Sequence, residues 1–400
     1  MSDLVERLEG MRVVVCAGSG GVGKTTTSAA IAMGLAARGA RVCVVTIDPA
    51  RRLADALGIE QLGSEPRRVD DERFAGHAGQ GTRGGTRHQA RPSHGITIEG
   101  ELWAMMLDPK RTFDELITRL APDEKTRDEI LANRIYRELS GAVAGSQEFT
   151  AVAKLYDLDR SGQFDVIVLD TPPSRNALDF LDAPDRLTGF LEGRALRLFL
   201  APSGLAAKVV GRGTSVVFSV LRRVTGVDLM NDLSVFFTAL STVLDGFRER
   251  AAGVKALLAD GATAFMIVTS PEREPVEEAI YFANKLREAQ MPFGGLIVNR
   301  VHPLAQDGDE EVDEAAIAAE LGGDAALARK VARTLREFRV LAHRDTRAVA
   351  RLRREVGDDD PIIVPHLDGD VHDVDGLVLV HRHLFAEGGE RSALLSEAAF

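Results

Sequence analysis

The sequence predicts an α/β fold: a mostly parallel central sheet flanked by helices, with a helical subdomain inserted into it. Three observations carry this. Short apolar runs alternate with helical segments along the 400 residues, the pattern of a doubly wound sheet. The first apolar run meets a Gly-rich turn and then a helix between Arg12 and Arg38. The stretch from Thr112 to Leu258 interrupts the alternation with long helices on both sides of one strand, at Phe164 to Leu169.

The elements follow in chain order. Arg12 to Ala17 is Val-rich and ends in small residues, as a buried strand does. Gly18-Ser19-Gly20-Gly21-Val22-Gly23-Lys24-Thr25-Thr26 fits G-x-x-x-x-G-K-[ST], the phosphate-binding loop. Thr26 to Arg38 is then a helix, apolar on most sides through Ala29, Ala30, Ile31, Met33 and Leu35. Strand, turn and helix in this order place backbone N–H groups and a helix N-terminus around a phosphate. Lys24 is expected to reach the β- and γ-phosphates, and the Thr25 hydroxyl to hold Mg²⁺.

Val42 to Ile47 is a second β-branched strand, closed by Asp48-Pro49. Ser64 to Gly95 is rich in Gly, Arg and His with little apolar periodicity, and is expected to be a mobile loop. Its His77, His88 and His94 lack helical ligand spacing. Ile96 to Leu107 reads as a long strand or a strand pair, and Thr112 to Arg160 as mostly helix. Phe164 to Leu169 is a continuous apolar run, the mark of a strand buried on both faces, and ends at Asp170-Thr171-Pro172-Pro173. Helix resumes at Asn176 to Leu181 and dominates Leu187 to Leu258. Strands at Ala264 to Thr269 and Gly294 to Val298 flank a helix from Glu274 to Gln290. An acidic loop at Asp307 to Asp313, a charged helix at Leu327 to Arg354, a strand at Pro361 to Val364 and a helix at Val374 to Phe385 complete the chain. The whole is expected to be one domain, with a core at about 11–110, 160–182 and 262–400 and a helical subdomain at about 111–160 and 185–260.

Composition limits the function. A net charge of −11 argues against a general nucleic-acid binder, which needs a basic surface. The two cysteines, Cys16 and Cys43, lie in predicted core strands and form no C-x-x-C pair, so neither a disulfide framework nor a structural zinc is expected, and a reducing cytoplasm is the expected home. The first ten residues lack the apolar core of a secretory signal. No charge-free run approaches the roughly 20 residues that a membrane-spanning helix needs.

In sheets of this kind nucleotides bind at the C-terminal strand ends. Three polar strand ends converge there: Asp48, Asp170 and Asn299. Asp170, after an apolar strand, suits a carboxylate that holds Mg²⁺ directly or through water. Asp48 suits a residue that orients and partly deprotonates the attacking water. Asn299 suits a contact to the nucleotide base.

With these residues in place, the chain resembles the ArsA family: the arsenite-pump ATPases and the related ATPases that target tail-anchored membrane proteins, which are deviant Walker A P-loop NTPases. The resemblance covers most of the length. It rests on Gly20-Gly21-Val22-Gly23-Lys24-Thr25-Thr26, on Asp48-Pro49-Ala50-Arg51-Arg52-Leu53-Ala54-Asp55 (switch I) and on Asp170-Thr171-Pro172-Pro173-Ser174 (switch II). Ile297-Val298-Asn299-Arg300 and Val364-Pro365, followed by Asp370-Val371-His372, complete it on the adenine side. It implies ATP and Mg²⁺ as cofactors, Asp48 as the water-activating residue, Thr25 on Mg²⁺, Thr26 on the α-phosphate and Pro365 beside the adenine. It also implies a dimer whose opening and closing follow nucleotide state and drive a membrane partner or a hydrophobic client.

One position departs from the family. The family pattern K-G-G-x-G-K-[ST] carries a signature Lys that reaches the partner protomer's nucleotide, as an arginine finger does; here that position is Ser19. Two arrangements remain open: a heterodimer with a paralogue that carries the Lys, or a homodimer that uses another cation, with Arg51 and Arg175 as candidates. The arsenite pumps bind metalloid through Cys, which the helical region lacks. Its charge-free segments, Thr214 to Leu221 and Leu233 to Leu244, suit either core packing or a client helix. Beside ATP hydrolysis stand two other readings: a non-hydrolysing ATP-binding regulatory subunit, and a partitioning ATPase working on a membrane or DNA surface.

Overall fold

The structure, a computed structural model, describes residues 4–48, 50–74, 95–139, 146–171, 239, 242–304, 311–367, 369, 371 and 373–398. Eight strands form one sheet: β1 Val13–Ala17, β2 Arg41–Thr46, β3 Arg67–Arg68, β4 Glu101–Met106, β5 Val166–Asp170, β6 Thr263–Thr269, β7 Phe293–Val301 and β8 Ile362–Pro365. Their spatial order is β3-β4-β2-β5-β1-β6-β7-β8. Every pairing is parallel except that of β3 with β4. Parallel strands need covering on both faces, which is why β1, β5 and β6 are buried along their whole length and read as unbroken apolar runs.

The described residues fall into two compact units. One lies within 1–106, 161–177 and 259–400 and holds the sheet. Its core gathers Val14, Ile31, Val44, Val168, Met266 and Ile297 with residues of the flanking helices. The helix Lys24–Ala37 is buried almost all round, through Ala29, Ala30, Ile31, Ala32, Met33 and Ala36, so its nearly uniform apolar surface reflects neighbours on most sides. The other unit lies within 107–160 and 178–258 and is helical. Helices Pro109–Leu120, Glu124–Ala132, Arg134–Leu139, Ser146–Ser161 and Leu244–Leu258 belong to it. Phe113 packs against Phe247 at 5.6 Å and Tyr136 at 6.1 Å between ring centroids. Asp108 and Asp123 cap the first two helices by accepting from Arg111 N and Thr126 N, which supplies partners for amides the helix itself leaves open.

Several expectations change in detail. The stretch expected as a mobile loop from Ser64 is structured in its described part: β3 pairs with β4, and Phe74 is fully buried. Residues 75–94, with the three histidines, lie outside the described residues. Ile96 to Leu107 is neither a strand pair nor one long strand; only Glu101–Met106 pairs. Gly100 N donates instead to Ala36 O at 2.9 Å, which turns the preceding segment towards the end of a helix. Short helices at Leu4–Leu8, Glu314–Glu320 and Gly388–Glu397 add to the predicted set. Arg175, the helix expected at Asn176 to Leu181, the segment Thr214 to Leu221, most of Leu233 to Leu244, and Asp370 and His372 lie outside the described residues. No helix among the described residues is long and apolar enough to cross a membrane.

Candidate nucleotide site

The loop after β1 is shaped by two glycines. A Cβ on Gly18 would lie 1.9 Å from the Val268 carbonyl oxygen of β6, so only glycine lets the loop leave the sheet this close to its neighbour. Gly23 has φ +95°, and a Cβ there would lie 2.3 Å from Asn299 Nδ2. Gly23 is also the N-cap of the helix Lys24–Ala37 and has no side chain to cap it. The first amides of that 14-residue helix are therefore open to an anion. Lys24, Thr25, Thr26, Gly21 and Gly23 all line one cavity of about 640 Å³. Gly20 is exposed at the loop's outer bend, and the Val22 side chain turns into the core.

Parallel pairing sets three strand ends side by side. Asp170 of β5 is in register with Cys16 of β1 and Thr46 of β2. The Asp170 side chain is 1% exposed. Its Oδ2 accepts from Thr25 Oγ1 at 2.7 Å and Thr46 Oγ1 at 2.8 Å, while Oδ1 is buried with no hydrogen-bond partner among the described residues. Burial pushes its carboxyl up to about 6, against the pull of the two hydroxyls and Lys24. A hard-oxygen pair, hydroxyl beside carboxylate with a spare buried oxygen, fits Mg²⁺. Cys16 does not suit a soft metal: burial pushes its thiol up to about 12.

Lys24 is buried and folds back on its own loop, with Nζ donating to Ser19 O at 2.7 Å. Desolvation lowers its pKa, and Asp170, Asp48 and Glu278 oppose that by attraction. Ser19, where the family pattern carries a Lys, is itself buried. Its hydroxyl donates to Glu278 of the helix Arg273–Glu288.

Asp48 stands at the cavity's edge, just past β2. Its Oδ1 accepts from Ala50 N at 2.9 Å, its own amide donates to Thr46 Oγ1 at 3.2 Å, and Arg52 Nη1 lies 3.6 Å from Oδ2. The turn thus fixes one carboxylate oxygen and leaves the other beside an exposed guanidinium. Arg51 is engaged elsewhere, donating to the Glu60 carbonyl.

The opposite wall comes from the ends of β7 and β8. Asn299 lines the cavity, and its Nδ2 donates to Val22 O at 2.9 Å while Oδ1 accepts from Arg300 N at 2.9 Å. Its side chain therefore braces the phosphate-binding loop. Arg300 takes φ +58°, unusual for a side-chain-bearing residue, where the β7–β8 register shifts between Val298 and Val301. Pro365, His366, Leu367 and Val371 supply a largely apolar surface. The His366 ring stacks on His302 at 5.0 Å and 19°. His302 donates from its backbone N (3.0 Å) and pairs through Nδ1 (2.8 Å) with Asp345 Oδ2, and Asp345 is fully buried.

The structure thus brings Lys24, Thr25, Thr26, Asp48, Asn299 and Pro365 to one cavity, with Asp170 beneath Thr25. Sequence reasoning missed Thr46, Glu278, His302, Asp345 and His366. Thr46 had a signal, a hydroxyl at a strand end beside Asp48. Asp345 had none, because only the packing of its helix brings it to β7.

Sheet order, loop and cavity define a P-loop nucleotide-binding fold. The family model of the anion-transporting ATPase matches residues 11–76 and 89–320, most of the chain, which therefore belongs to that family. The chain is similar to ATPase get3 of Aspergillus terreus, 31% identical over 178 residues, covering 44% of this chain and 43% of the relative. It is similar to a protein provisionally named arsenical pump-driving ATPase 1 in Aquifex aeolicus, 27% identical over 304 residues, 73% of this chain and 64% of the relative. It is similar also to ATPase ARSA1 of Chlamydomonas reinhardtii, 27% identical over 320 residues, 72% of this chain and 35% of the relative. The matches thus span less than two thirds of each of these relatives' own length.

Proposed function

We propose that this chain is an ATPase of the ArsA type, hydrolysing ATP to ADP and phosphate with Mg²⁺. The observation that carries the reading is one cavity lined by the open helix N-terminus at Lys24, by Thr25, by Asp48 and by Asn299, with the buried Asp170 bonded to Thr25 below it. The loop amides and Lys24 bind the phosphates; to do so Lys24 Nζ exchanges the Ser19 carbonyl for phosphate oxygens. Thr25 and Asp170 would hold Mg²⁺, which supplies charge compensation for the phosphates when bound. Asp48 holds the attacking water, using the oxygen that the Ala50 amide does not occupy. The apolar wall with Pro365 and His366 receives the base.

Family membership supports the reading of its output as a dimer that closes on ATP and reopens after hydrolysis, powering anion movement through a membrane partner or handling a hydrophobic client, in the cytoplasm. Ser19 favours a supplementary reading. Its hydroxyl, tied to Glu278, carries no charge to a second site, so a partner that brings a Lys, a paralogue rather than a second copy, would complete the pair. Phosphate release by the purified chain, alone and with candidate paralogues, tests both. The Asp48→Asn variant should retain ATP affinity within about threefold and lose turnover by at least about a hundredfold. Unchanged turnover would remove Asp48 from the mechanism, and ATP binding that survives Lys24→Ala would remove the loop.

A further inference from the structure

One buried carboxylate outside the phosphate-binding loop reaches the cavity through two imidazoles. Asp345 lies in the C-terminal half of the helix Ala325–Leu352 and is 0% exposed. A carboxylate taken out of water is costly unless it is hydrogen-bonded, and Asp345 is bonded on both oxygens. Oδ1 accepts from Arg344 Nε at 2.9 Å. Oδ2 accepts twice from one residue, from His302 N at 3.0 Å and from His302 Nδ1 at 2.8 Å. A carboxylate only accepts, so the His302 ring carries its proton on Nδ1. Backbone and ring of His302 are held by one oxygen, and the imidazole cannot turn without breaking a bond.

The held imidazole touches two further rings. Phe338 comes about two turns before Asp345, on the same face of the helix, and its ring lies 6.0 Å from that of His302 at 48°. The His366 ring stacks on His302 at 5.0 Å and 19°, within the range of favourable offset stacking. His366 is exposed and lines the nucleotide cavity. Its backbone N donates to Val301 O at 2.8 Å, so its main chain and its ring are each tied to the end of β7. An exposed side chain at the start of a loop ordinarily samples several rotamers; here the ring behind it selects one.

We propose that Asp345 is a positioning residue: acting through His302, it sets the His366 ring as the platform for a purine base. The proposal rests on the nucleotide reading of the cavity and adds what holds the base wall and which class of base it favours. Stacking of a base on an aromatic ring contributes roughly fivefold to a hundredfold in affinity, and a two-ring purine covers more of such a platform than a one-ring pyrimidine. The gain is largest when the ring is in place before the base arrives, because ordering it on binding would consume part of it. A clamp that only fastened the helix to β7 would leave base preference untouched.

Competition by ATP, UTP and inorganic tripolyphosphate for a fluorescent ATP analogue on the full chain tests it. Wild type should prefer ATP to UTP by at least about fivefold. His302→Ala and Asp345→Ala should each lower that preference by at least about threefold, with tripolyphosphate affinity held within about twofold. Asp345→Asn, whose amide oxygen still accepts from His302, should keep most of it. His302→Ala leaves Asp345 its bond from the backbone amide and carries the test should Asp345→Ala not fold. Equal affinity of wild type for ATP and UTP, a preference unchanged in the alanine variants, or tripolyphosphate affinity that falls in step with ATP would each overturn the positioning role while leaving the nucleotide site in place. Wild type that binds neither the analogue nor tripolyphosphate would overturn the nucleotide reading itself, and the positioning role with it.

Discussion

Gly23 and Asn299 lie 276 positions apart in sequence, yet the phosphate-binding loop depends on their contact. An Ala at position 23 places a Cβ 2.3 Å from Asn299 Nδ2, and only Asn299 atoms lie within 4 Å of it. The amide must therefore swing about 1 Å or more to reach ordinary contact, which breaks its 2.9 Å bond to Val22 O. Two costs follow for Gly23→Ala: about 1 kcal/mol or more for a side chain at φ +95°, and about 1–2 kcal/mol for the lost hydrogen bond and its stranded carbonyl. Asn299→Ala alone incurs only the second. In the double variant the clash has no partner, so only the backbone cost is added to that of Asn299→Ala. The expected coupling is about 1–2 kcal/mol, a roughly 5- to 30-fold shortfall from additivity in the Kd for a fluorescent ATP analogue. Titration of wild type, both single variants and the double variant measures it. Costs that add to within about 0.5 kcal/mol would show that Asn299 does not brace the loop at Gly23.

Two further predictions concern titrating groups. Asp170 has its carboxyl raised from 3.8 to about 6 by burial, so the native state holds that proton more tightly. The cost of its charge is absent below about pH 4 and complete above about pH 6, where about two units correspond to about 3 kcal/mol. Nucleotide-free Asp170→Asn should then gain stability over wild type in urea unfolding between pH 4 and pH 8, and should no longer respond to Mg²⁺ with nucleotide; a pH-independent difference would refute the burial argument. His383 is the reverse case: burial lowers its pKa to about 4, with Arg382 adding to the effect. Its neutral form stabilises the fold fully above pH 6.5, and that contribution is lost as pH falls from 6.5 towards 4. His383→Gln should flatten the acid limb of unfolding followed by circular dichroism, and coincident acid transitions would show that His383 is not kept neutral.

Much of the sheet was legible because a strand covered on both faces must be apolar throughout, as at Val166–Asp170 and Thr263–Thr269. The order in which those strands lie was not legible, since β5 enters between β1 and β2 only after the inserted helices. At the site, Lys24 and Asp48 are local: their hydrogen-bond partners lie within five residues in sequence. Asn299 was legible as a strand-end polar group facing a nucleotide, but its grip on Val22 was not, because that bond spans two distant segments. Ser19 was legible as a missing charge; that its hydroxyl is held by Glu278 depends on how the Arg273–Glu288 helix packs.

By itself the sequence determined the class of fold, the phosphate-binding loop and the roles open to Asp48 and Asp170, because periodicity, glycine placement and strand-end chemistry act over a few residues. Only the tertiary structure decided which groups share a proton, a bond or a surface. It put the Thr25 and Thr46 hydroxyls on the buried Asp170 carboxylate, and stacked His366 on His302, which pairs with Asp345. Those outcomes depend on desolvation and register between segments far apart in the chain, and no local pattern encodes either.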